Sequence, residues 1–477
     1  MQQPTGRLTT APVPIARNGA MNVSIVLFTS DLRLHDHPPL RAALASAPEV
    51  VPLFVRDQAV DRAGFAAPNR LAFLADCLTD LDAGLRARGG RLVVRHGDTV
   101  AEVCAVARET DADEVHMAAG CTAFAHERER RLRHALEADG RRLYVHDGVV
   151  TVLPAGEVTP AGSDHFAVFT PYHRRWSAEP RRSPAAAPRS VQVPGALRSE
   201  EVPSRSAVAS VSEGLATGGE TKGRERLTTW LSRHVDAYED RHDDLAGDVT
   251  SRLSPYLHFG AVSANEVVHR ARSRGGAGAE AFVRQMCWRD FHHQVLNARP
   301  HTATQDYRTR HDHWRQGKQA DADLRAWQAG LTGYPLVDAA MRQLAHEGWM
   351  HNRGRLLAAS FLTKTLYLDW RLGARHFLGL LVDGDIANNQ LNWQWAAGTG
   401  TDTRPNRVLN PVLQARRYDP DGAYVRRWVP ELASLEAPLI HEPWKVPPLD
   451  RAALDYPDPI VTLADGLGRF RRARGQD

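Results

Sequence analysis

Residues 383–395 read Asp-Gly-Asp-Ile-Ala-Asn-Asn-Gln-Leu-Asn-Trp-Gln-Trp, which sets two carboxylates, a run of amides and two indoles side by side. An ordinary core segment does not carry so many polar groups beside tryptophan. Buried polar groups have to be paired, so this segment is expected to surround something polar and flat. On a helix of 3.6 residues per turn, Trp393 and Trp395 point about 200° apart. One indole then faces a buried partner and the other a cavity, a division that core packing alone does not explain.

Outward from this stretch, helical patterns dominate from Lys222 on. Residues 278–297, 335–346 and 354–368 carry apolar side chains at helical spacing, and Ser263-Ala-Asn-Glu266 has the form of a capping box. Tryptophan usage marks the same half, since none precedes Trp176 and nine of the 11 lie from Trp288 onward. The first third alternates β-rich runs (23–28, 50–55, 91–95, 114–118, 142–146) with helical patterns (38–47, 69–88, 99–109, 125–138). Such alternation predicts a parallel sheet covered on both faces. No Gly-x-Gly-x-x-Gly follows the first strand, so a dinucleotide at that turn is not expected. Between the halves the periodicity fades, and Pro, Ser, Ala and Gly dominate 180–220, as in a long crossover or linker. The run Phe169-Thr-Pro-Tyr172 interrupts it as a short ordered piece. The expected organisation is a disordered tail over 1–22, with Met21 a second possible start, an α/β domain over 23–150, a linker over 151–221 and a helical domain over 222–477.

The length of 477 residues suits two or three domains, and 43% hydrophobic with 24% charged residues is the balance of a soluble globular chain. No apolar run of about 18 residues offers a membrane span, and the first twenty residues contain no secretory core. Cys77, Cys104, Cys121 and Cys287 show neither zinc spacing nor a CxxC pair, which fits a reducing cytoplasm. Of the 60 basic side chains all but Lys222, Lys318, Lys364 and Lys445 are arginine. Arginine binds phosphate bidentately and stacks on flat rings; GC-rich codon usage is the better explanation of the bias, and it leaves some arginines free to bind nucleic acid.

Three further constellations carry candidate chemistry. In Thr250-Ser251-Arg252-Leu253-Ser254-Pro255, Ser254 is a suitable N-cap and Pro255 a suitable first helical residue. Free N–H groups and hydroxyls there could take a phosphate, or simply cap a helix. Gln285, Trp288, Arg289 and His292 share one helical face, which suits a flat hydrogen-bonding ligand such as a base, or a half-buried helix. Trp349-Met-His-Asn-Arg-Gly-Arg355 offers several donors at the start of an apolar helix.

Together these residues resemble the DNA photolyase/cryptochrome family from about residue 23 onward. The likeness is densest in Gly333-Tyr-Pro-Leu-Val-Asp-Ala-Ala-Met-Arg-Gln-Leu344, in Gly348-Trp-Met-His-Asn-Arg353, in 383–395 and in Arg426-Arg-Trp-Val-Pro-Glu-Leu432. Asp31-Leu-Arg-Leu34 with His35-Asp36 looks like the family's first βα turn. The resemblance implies a Rossmann-like photolyase-type α/β domain joined by a long linker to an all-α FAD-binding domain. It implies FAD near Tyr238, Thr250, Ser251, Arg252, Leu253, Ser254, Gly384 and Asp385, with Arg355 paired to Asp383 and Asn389 facing the flavin N5. It implies an electron-transfer chain of Trp393, Trp370 and Trp314. It implies contacts to UV-damaged DNA from Gln285, Trp288, Arg289, His292, Asn352, Arg353, Trp395 and Gln414, with the lesion flipped between Trp288 and Trp395. The implied reaction is light-driven splitting of cyclobutane pyrimidine dimers by an electron from reduced FAD, performed by a cytoplasmic monomer. A folate or deazaflavin antenna in the α/β domain is compatible with it.

The chain departs from the pattern in several places. Gln285 stands where bacterial cyclobutane-dimer photolyases usually carry Glu. (6-4) photolyases often have Gln there, but they carry a His pair where this chain has His351-Asn352. Leu356 replaces an expected Met, residues 401–407 are shorter and less aromatic than usual, and Phe28-Thr-Ser30 lacks the usual Trp-Phe-Arg. The rival readings are a cryptochrome-like light sensor, a (6-4) or single-strand-preferring photolyase, and a nucleotide-binding protein without flavin. Asn389 favours repair over signalling.

Overall fold

A computed structural model describes residues 22–476. The expected tail over 1–22 and the second start at Met21 fall outside the described residues, apart from Asn22.

The first strand, β1 (Val23–Phe28), is buried along its whole length. With β2 (Glu49–Asp57), β3 (Val93–Gly97), β4 (Glu114–Ala118) and β5 (Arg142–His146) it forms one parallel sheet in the order β3-β2-β1-β4-β5. Ile25 sits between Val51 and Val115 in register. Strands buried along both faces in this way belong to sheets with helices on both sides. The third strand begins two residues later than its composition suggests, because the Leu92 N–H is taken by the Asp82 carboxylate at 2.8 Å. The helix Ala123–Ala138 begins two residues earlier, because the Thr122 hydroxyl caps the Ala125 N–H at 3.1 Å.

Residues 151–221 contain the helix Phe169–Ala178, the 3-10 turn Arg205–Ala207 and, at their end, the start of the helix Glu220–Arg233. The segment is stitched to the sheet domain by Val191 N–H to the Arg88 carbonyl (2.9 Å), Val50 N–H to the Gln192 carbonyl (2.8 Å) and Glu200 N–H to the Val94 carbonyl (2.9 Å). It is stitched to the helical half by Trp176, fully buried, whose indole N–H donates to Asp290 at 2.9 Å.

In the helical half the long helices include Glu220–Arg233, Ala277–Ala298, Pro335–Glu347 and Ile386–Ala397. The pattern over 354–368 predicts a single helix, and the structure corrects this. A helix runs over Asn352–Ser360, opens into a π-helical turn at Phe361–Thr365, and the chain then reverses at Tyr367 with φ +54°. The Thr363 hydroxyl donates back to the Ala359 carbonyl at 2.7 Å, a bond that loosens the helical ladder. The capping box is half formed. Ser263 caps the Glu266 N–H at 3.2 Å, but the Glu266 carboxylate turns away to Arg224.

Buried charges lock the two halves together. Arg33 donates to the carbonyls of Asp36, Val149 and Gly260, each at 3.0 Å. Glu220 accepts from the Leu34 and His35 N–H groups at 2.7 and 2.9 Å. Arg70 of the sheet domain reaches the Leu381 carbonyl at 2.9 Å, directly ahead of Asp383. The turn after β1 is therefore fixed to the helical half, and helix Pro68–Arg86 is fixed to the approach to the decisive stretch.

Candidate functional site

Helix Ile386–Ala397 is the axis of the site. Asp385 caps it, with one oxygen accepting from the Asn388 N–H at 2.7 Å and from its side-chain amide at 2.9 Å. The other oxygen lies 3.3 Å from His293 Nε2. Burial alone would raise this carboxyl. The neighbouring His293, with Arg289 and His258, outweighs burial and holds Asp385 well below the usual carboxylate range. Asn388 in turn meets His292 Nδ1 at 3.0 Å. Burial lowers the His292 imidazole to about 4, so it is neutral at pH 7. One residue upstream of the helix cap, Gly384 leaves room for Arg70, whose Nη1 a Cβ would approach to 2.8 Å.

Asp383 forms the ion pair expected of it. Arg355 donates to both its oxygens at 3.1 and 2.8 Å and anchors its own Nε on the Met350 carbonyl at 2.8 Å. Bidentate pairing of this kind fixes orientation as well as charge.

Beside this pair lies the 250–254 turn. Arg252 adopts the left-handed region at φ +49° and pairs with Asp248 (2.7 Å) and Glu347 (3.2 Å). Its guanidinium stands 4.2 Å from the centre of the Trp349 ring, and the Trp349 indole donates to the Ser254 hydroxyl at 3.1 Å. The expected N-cap role of Ser254 is therefore not realised. The helix there, Ser254–His258, is a single turn without a side-chain cap, because the serine oxygen is taken by the indole. The Ser251 hydroxyl accepts from the Leu253 N–H at 3.4 Å. The Thr250 hydroxyl oxygen is buried with no partner at all. Tyr238 closes this side, edge-on to Trp230 and Phe282 at 5.4 and 5.6 Å.

The two indoles of the axis helix separate as its geometry requires. Trp393 is 2% exposed, edge-on to Phe377 (4.9 Å) and Trp327 (6.0 Å). A Cβ on Gly373 would collide with its ring, so Trp393 lies directly on the helix that Trp370 opens. Trp370 is fully buried, and its indole donates to Asp306 at 2.8 Å. Trp314 is partly exposed and sits 4.9 Å from the ring of Tyr367, three residues before Trp370. Asn389 is buried, its amide donating to the Ala374 carbonyl (3.2 Å) and to Gln390 (3.0 Å).

Trp395 is partly exposed on the other side. On the neighbouring helix Ala277–Ala298, Gln285 is exposed and Trp288 lies flat on Phe169, with ring centres 3.6 Å apart and planes 3° from parallel. Phe169, from the run that interrupts the expected linker, thus backs Trp288. Not every candidate cation is free. Arg289 donates to the carbonyls of Val150 (2.8 Å) and Leu257 (3.3 Å), and Arg353 pairs with Asp243 and covers the Tyr418 ring at 4.4 Å. Asn352 is exposed, while the buried Gln414 Oε1 has no partner.

The sequence reading passed over His293, Asn388, Gln394 and Asp306. The buried Gln394 accepts from the Tyr307 N–H at 2.7 Å and donates to the carbonyls of Thr302 (2.7 Å) and Gln305 (3.1 Å), which positions Asp306. The clue lay in the amides of 383–395, each of which needed a partner.

Comparison with known proteins agrees with this geometry. Residues 24–191 match the family model for DNA photolyase, and residues 282–475 match the model for the FAD binding domain of DNA photolyase. A deoxyribodipyrimidine photo-lyase of Streptomyces griseus is 67% identical over 459 residues, covering 96% of this chain and all of that protein. A class III photolyase from Agrobacterium tumefaciens superposes with a TM-score of 0.89 at 33% identity, covering 97% of this chain and 99% of that one. An archaeal photolyase from Sulfolobus tokodaii, whose structure holds two FAD molecules with a novel light-harvesting cofactor implied, gives 0.81 at 30% identity, covering 95% and 100%. With an axis helix bearing back-to-back indoles, a sheet domain pinned against it and relatives alike along nearly its whole length, the chain belongs to the DNA photolyase family.

Proposed function

We propose that the chain is a deoxyribodipyrimidine photo-lyase that repairs cyclobutane pyrimidine dimers in UV-damaged DNA in the light. The observation that carries this reading is the division of helix Ile386–Ala397 between a sealed indole, Trp393, and an open one, Trp395, beside a charged cradle.

The cradle suits FAD. The buried Thr250 hydroxyl lacks a partner, and Arg252 and Arg355 are both placed over Trp349. Thr250, Ser251, Arg252, Leu253 and Ser254 would hold the phosphates and ribityl chain, with Tyr238 at one end. Asp383, Gly384, Asp385 and Asn389 would line the ring system. When bound, FAD supplies light absorption and one-electron donation to the lesion. The chain supplies orientation and a dry enclosure. Asp385 is held ionised beside His293, His292 is held neutral, and Arg355 is fixed by Asp383.

On the open side, Trp288 and Trp395 offer flat apolar faces to a flipped dinucleotide. Gln285 contributes both a donor and an acceptor, and the unpartnered Gln414 Oε1 offers an acceptor. Asn352 and Arg353 complete the DNA-facing set, while Arg289 and the buried His292 act through the elements they pin. Trp393, Trp370 and Trp314 provide a path for electrons from the interior to the surface.

A second chromophore, a folate or a deazaflavin, would sit at the carboxyl ends of β1 and β4, where the strand order reverses. There the buried Arg128 Nε has no partner. Among the described residues no helix is long and apolar enough to cross a membrane. The reading is of a monomer acting on DNA in the cytoplasm, and its four free thiols suit a reducing compartment.

The test is to irradiate oligonucleotides bearing a cyclobutane dimer or a (6-4) product with blue light in the presence of the reduced, flavin-loaded protein. Loss of the cyclobutane dimer is expected. No loss of it with flavin bound would overturn the proposal, and loss of the (6-4) product alone would move the assignment to that lesion.

A further inference from the structure

Helix Pro68–Arg86 of the sheet domain carries Asn69 and Arg70 in its first turn, and both reach across the domain boundary to the same bend of chain. The helix Trp370–Leu380 ends at that bend, where its last carbonyls have no partner within the helix. Asn69 Nδ2 donates to the Leu380 carbonyl at 2.6 Å. Arg70 Nη1 donates to the Leu381 carbonyl at 2.9 Å and also to that of Leu378. The rest of the Arg70 fork turns to the Phe65 carbonyl, with Nε at 2.9 Å, and the centre of the Phe65 ring lies 4.3 Å from the guanidinium.

The charge of Arg70 is what this packing does not account for. Arg70 is 3% exposed, and among the described residues every hydrogen bond it makes ends on a backbone carbonyl. The opposite charge it feels is Asp383, which is already paired with Arg355 at 2.8 and 3.1 Å. Two guanidiniums thus share one carboxylate. Adding the neighbouring Asp385 and Arg289 leaves the excess in place, three guanidiniums against two carboxylates. Arginine is seldom buried without a counter-ion, because carbonyl dipoles offset only part of the lost hydration. Burial pushes Arg70 down to about 10, with Asp383 opposing, so it stays charged at neutral pH. The neutral amide of Asn69 caps the same helix end without a charge. The positive charge therefore calls for an anion that these residues do not supply.

We propose that Arg70, a residue of the sheet domain, is a positioning residue whose buried charge fits the cradle to the flavin in its anionic, reduced form. The inference rests on the reading that Asp383, Gly384, Asp385 and Asn389 line the flavin ring. A fully reduced flavin whose N1 stays deprotonated carries one negative charge on the ring, and the oxidised ring carries none. A fixed cation without a carboxylate of its own favours the first over the second. The helix end holds the guanidinium with about half a negative charge, enough to orient it and too little to cancel it. Gly384 lets the chain close over the cation, since a Cβ there would come within 2.8 Å of Nη1. Docking of the sheet domain then completes the electrostatics of the site as well as its shape.

The test is a reductive titration of the flavin-loaded protein against a reference dye, followed by flavin absorption and paired with thermal unfolding. Arg70→Gln keeps a donor for the carbonyls and removes the charge. It should disfavour the last one-electron step by about tenfold at equilibrium, a fall of about 59 mV. It should also raise the pH at which the reduced ring takes up its N1 proton by about one unit, because loss of a cation destabilises the anion. Arg70→Lys keeps the charge but cannot span the Leu378, Leu381 and Phe65 carbonyls together. It should return both readouts to near the unaltered values while the melting temperature stays lowered. Asn69→Asp leaves the guanidinium in place and sets a carboxylate beside it, and should move both readouts the same way as Arg70→Gln, so the question is answered even if the glutamine variant does not fold. A merely structural clamp would lower the melting temperature of the glutamine and lysine variants alike and leave potential and N1 proton where they were. That result, or equal shifts in the two variants, would overturn the Arg70 assignment and leave the cradle standing. A bound flavin whose potential ignores Asp383→Asn as well would lie elsewhere, and would overturn both.

Discussion

The two sides of helix Ile386–Ala397 are built by opposite rules. On one side Trp393 is sealed among Phe377, Trp327 and Gly373, and Gln394 spends its polar atoms on three backbone groups. On the other side Trp395 is partly exposed, Gln285 is exposed, and the buried Gln414 Oε1 has no partner. The first side is closed by packed rings and by an amide whose atoms are all paired, and the second keeps open faces and an unspent acceptor. A path for electrons needs fixed distances between rings. A pocket for a flipped dinucleotide needs vacant faces and unspent hydrogen bonds. One helix serves both needs because the helical period turns side chains two residues apart, such as Trp393 and Trp395, to opposite sides.

The sharpest way to break this division is at the pair that fixes the start of the helix. Asp383→Ala leaves the Arg355 guanidinium without its bidentate partner beside the cradle. Removing one member of a buried pair costs roughly 3–5 kcal/mol, with the lower end expected here because Arg355 keeps some contact with solvent. The expected result is a protein that purifies without yellow colour and melts at lower temperature, measured by absorption and thermal unfolding. Full flavin retention would show that the pair is dispensable.

The indoles themselves allow the two sides to be separated. Trp395→Ala should weaken binding of damaged DNA by about 1–3 kcal/mol, the worth of one base–aromatic stack, with little change in photoreduction. Trp393→Phe should do the reverse, abolishing photoreduction while DNA affinity stays near that of the unaltered protein. Gel-shift titration and steady illumination measure the two quantities. Equal effects of both variants on both readouts would mean that the sides are not independent.

A smaller effect follows from protonation. His292 has its folded value lowered to about 4, against about 6.5 for an unfolded histidine. A group so depressed costs nothing above pH 6.5, where it is neutral in both states. As pH falls from there toward 4, the unfolded chain takes up a proton that the folded site refuses, so stability is lost. The loss is about 1 kcal/mol at pH 6 from this one side chain and grows below that. Asp385, held low, contributes stability that persists across this window and fails only at lower pH. Melting temperature should therefore be level above neutrality and decline below about 6.5, with His292→Asn flattening part of the decline.

Much of this arrangement was legible in the residues. The five strands, the order of halves and the Arg355–Asp383 pair followed from aliphatic runs, tryptophan distribution and motif likeness. The failures share one cause, a local signal overruled by a distant partner. Ser254 looked like a cap, and its oxygen went to Trp349, 95 residues on. Residues 354–368 looked like one helix, and a Thr363 back-bond with the reversal at Tyr367 divided them. Arg289 is expected to contact DNA directly, and its guanidinium is held by the Val150 and Leu257 carbonyls, so any influence on DNA runs through those elements. Within the linker-like residues 151–221, the 169–172 run reads as a short ordered piece, and the reach of its helix to Trp288 and Asp290 through Phe169 and Trp176 depends on partners more than a hundred residues on. Propensity reports on neighbours in sequence, and these outcomes were set by neighbours in space.

The least of the expected effects tests that same lesson away from the site. Ser263 caps the Glu266 N–H and also donates to Asp36, so one hydroxyl closes a helix and touches the turn after β1. Loss of an N-cap alone costs about 1 kcal/mol. Ser263→Ala should lower the melting temperature by a few degrees, while flavin content and radical yields stay as they were. A loss well beyond that would show the hydroxyl acting mainly across the domain contact through Asp36, which also holds Arg182 and the Ala185 N–H. In that case Ser263→Thr, which keeps the oxygen, should restore most of the stability, and the contact between sheet and helices would rank with the helix cap as what this serine is for.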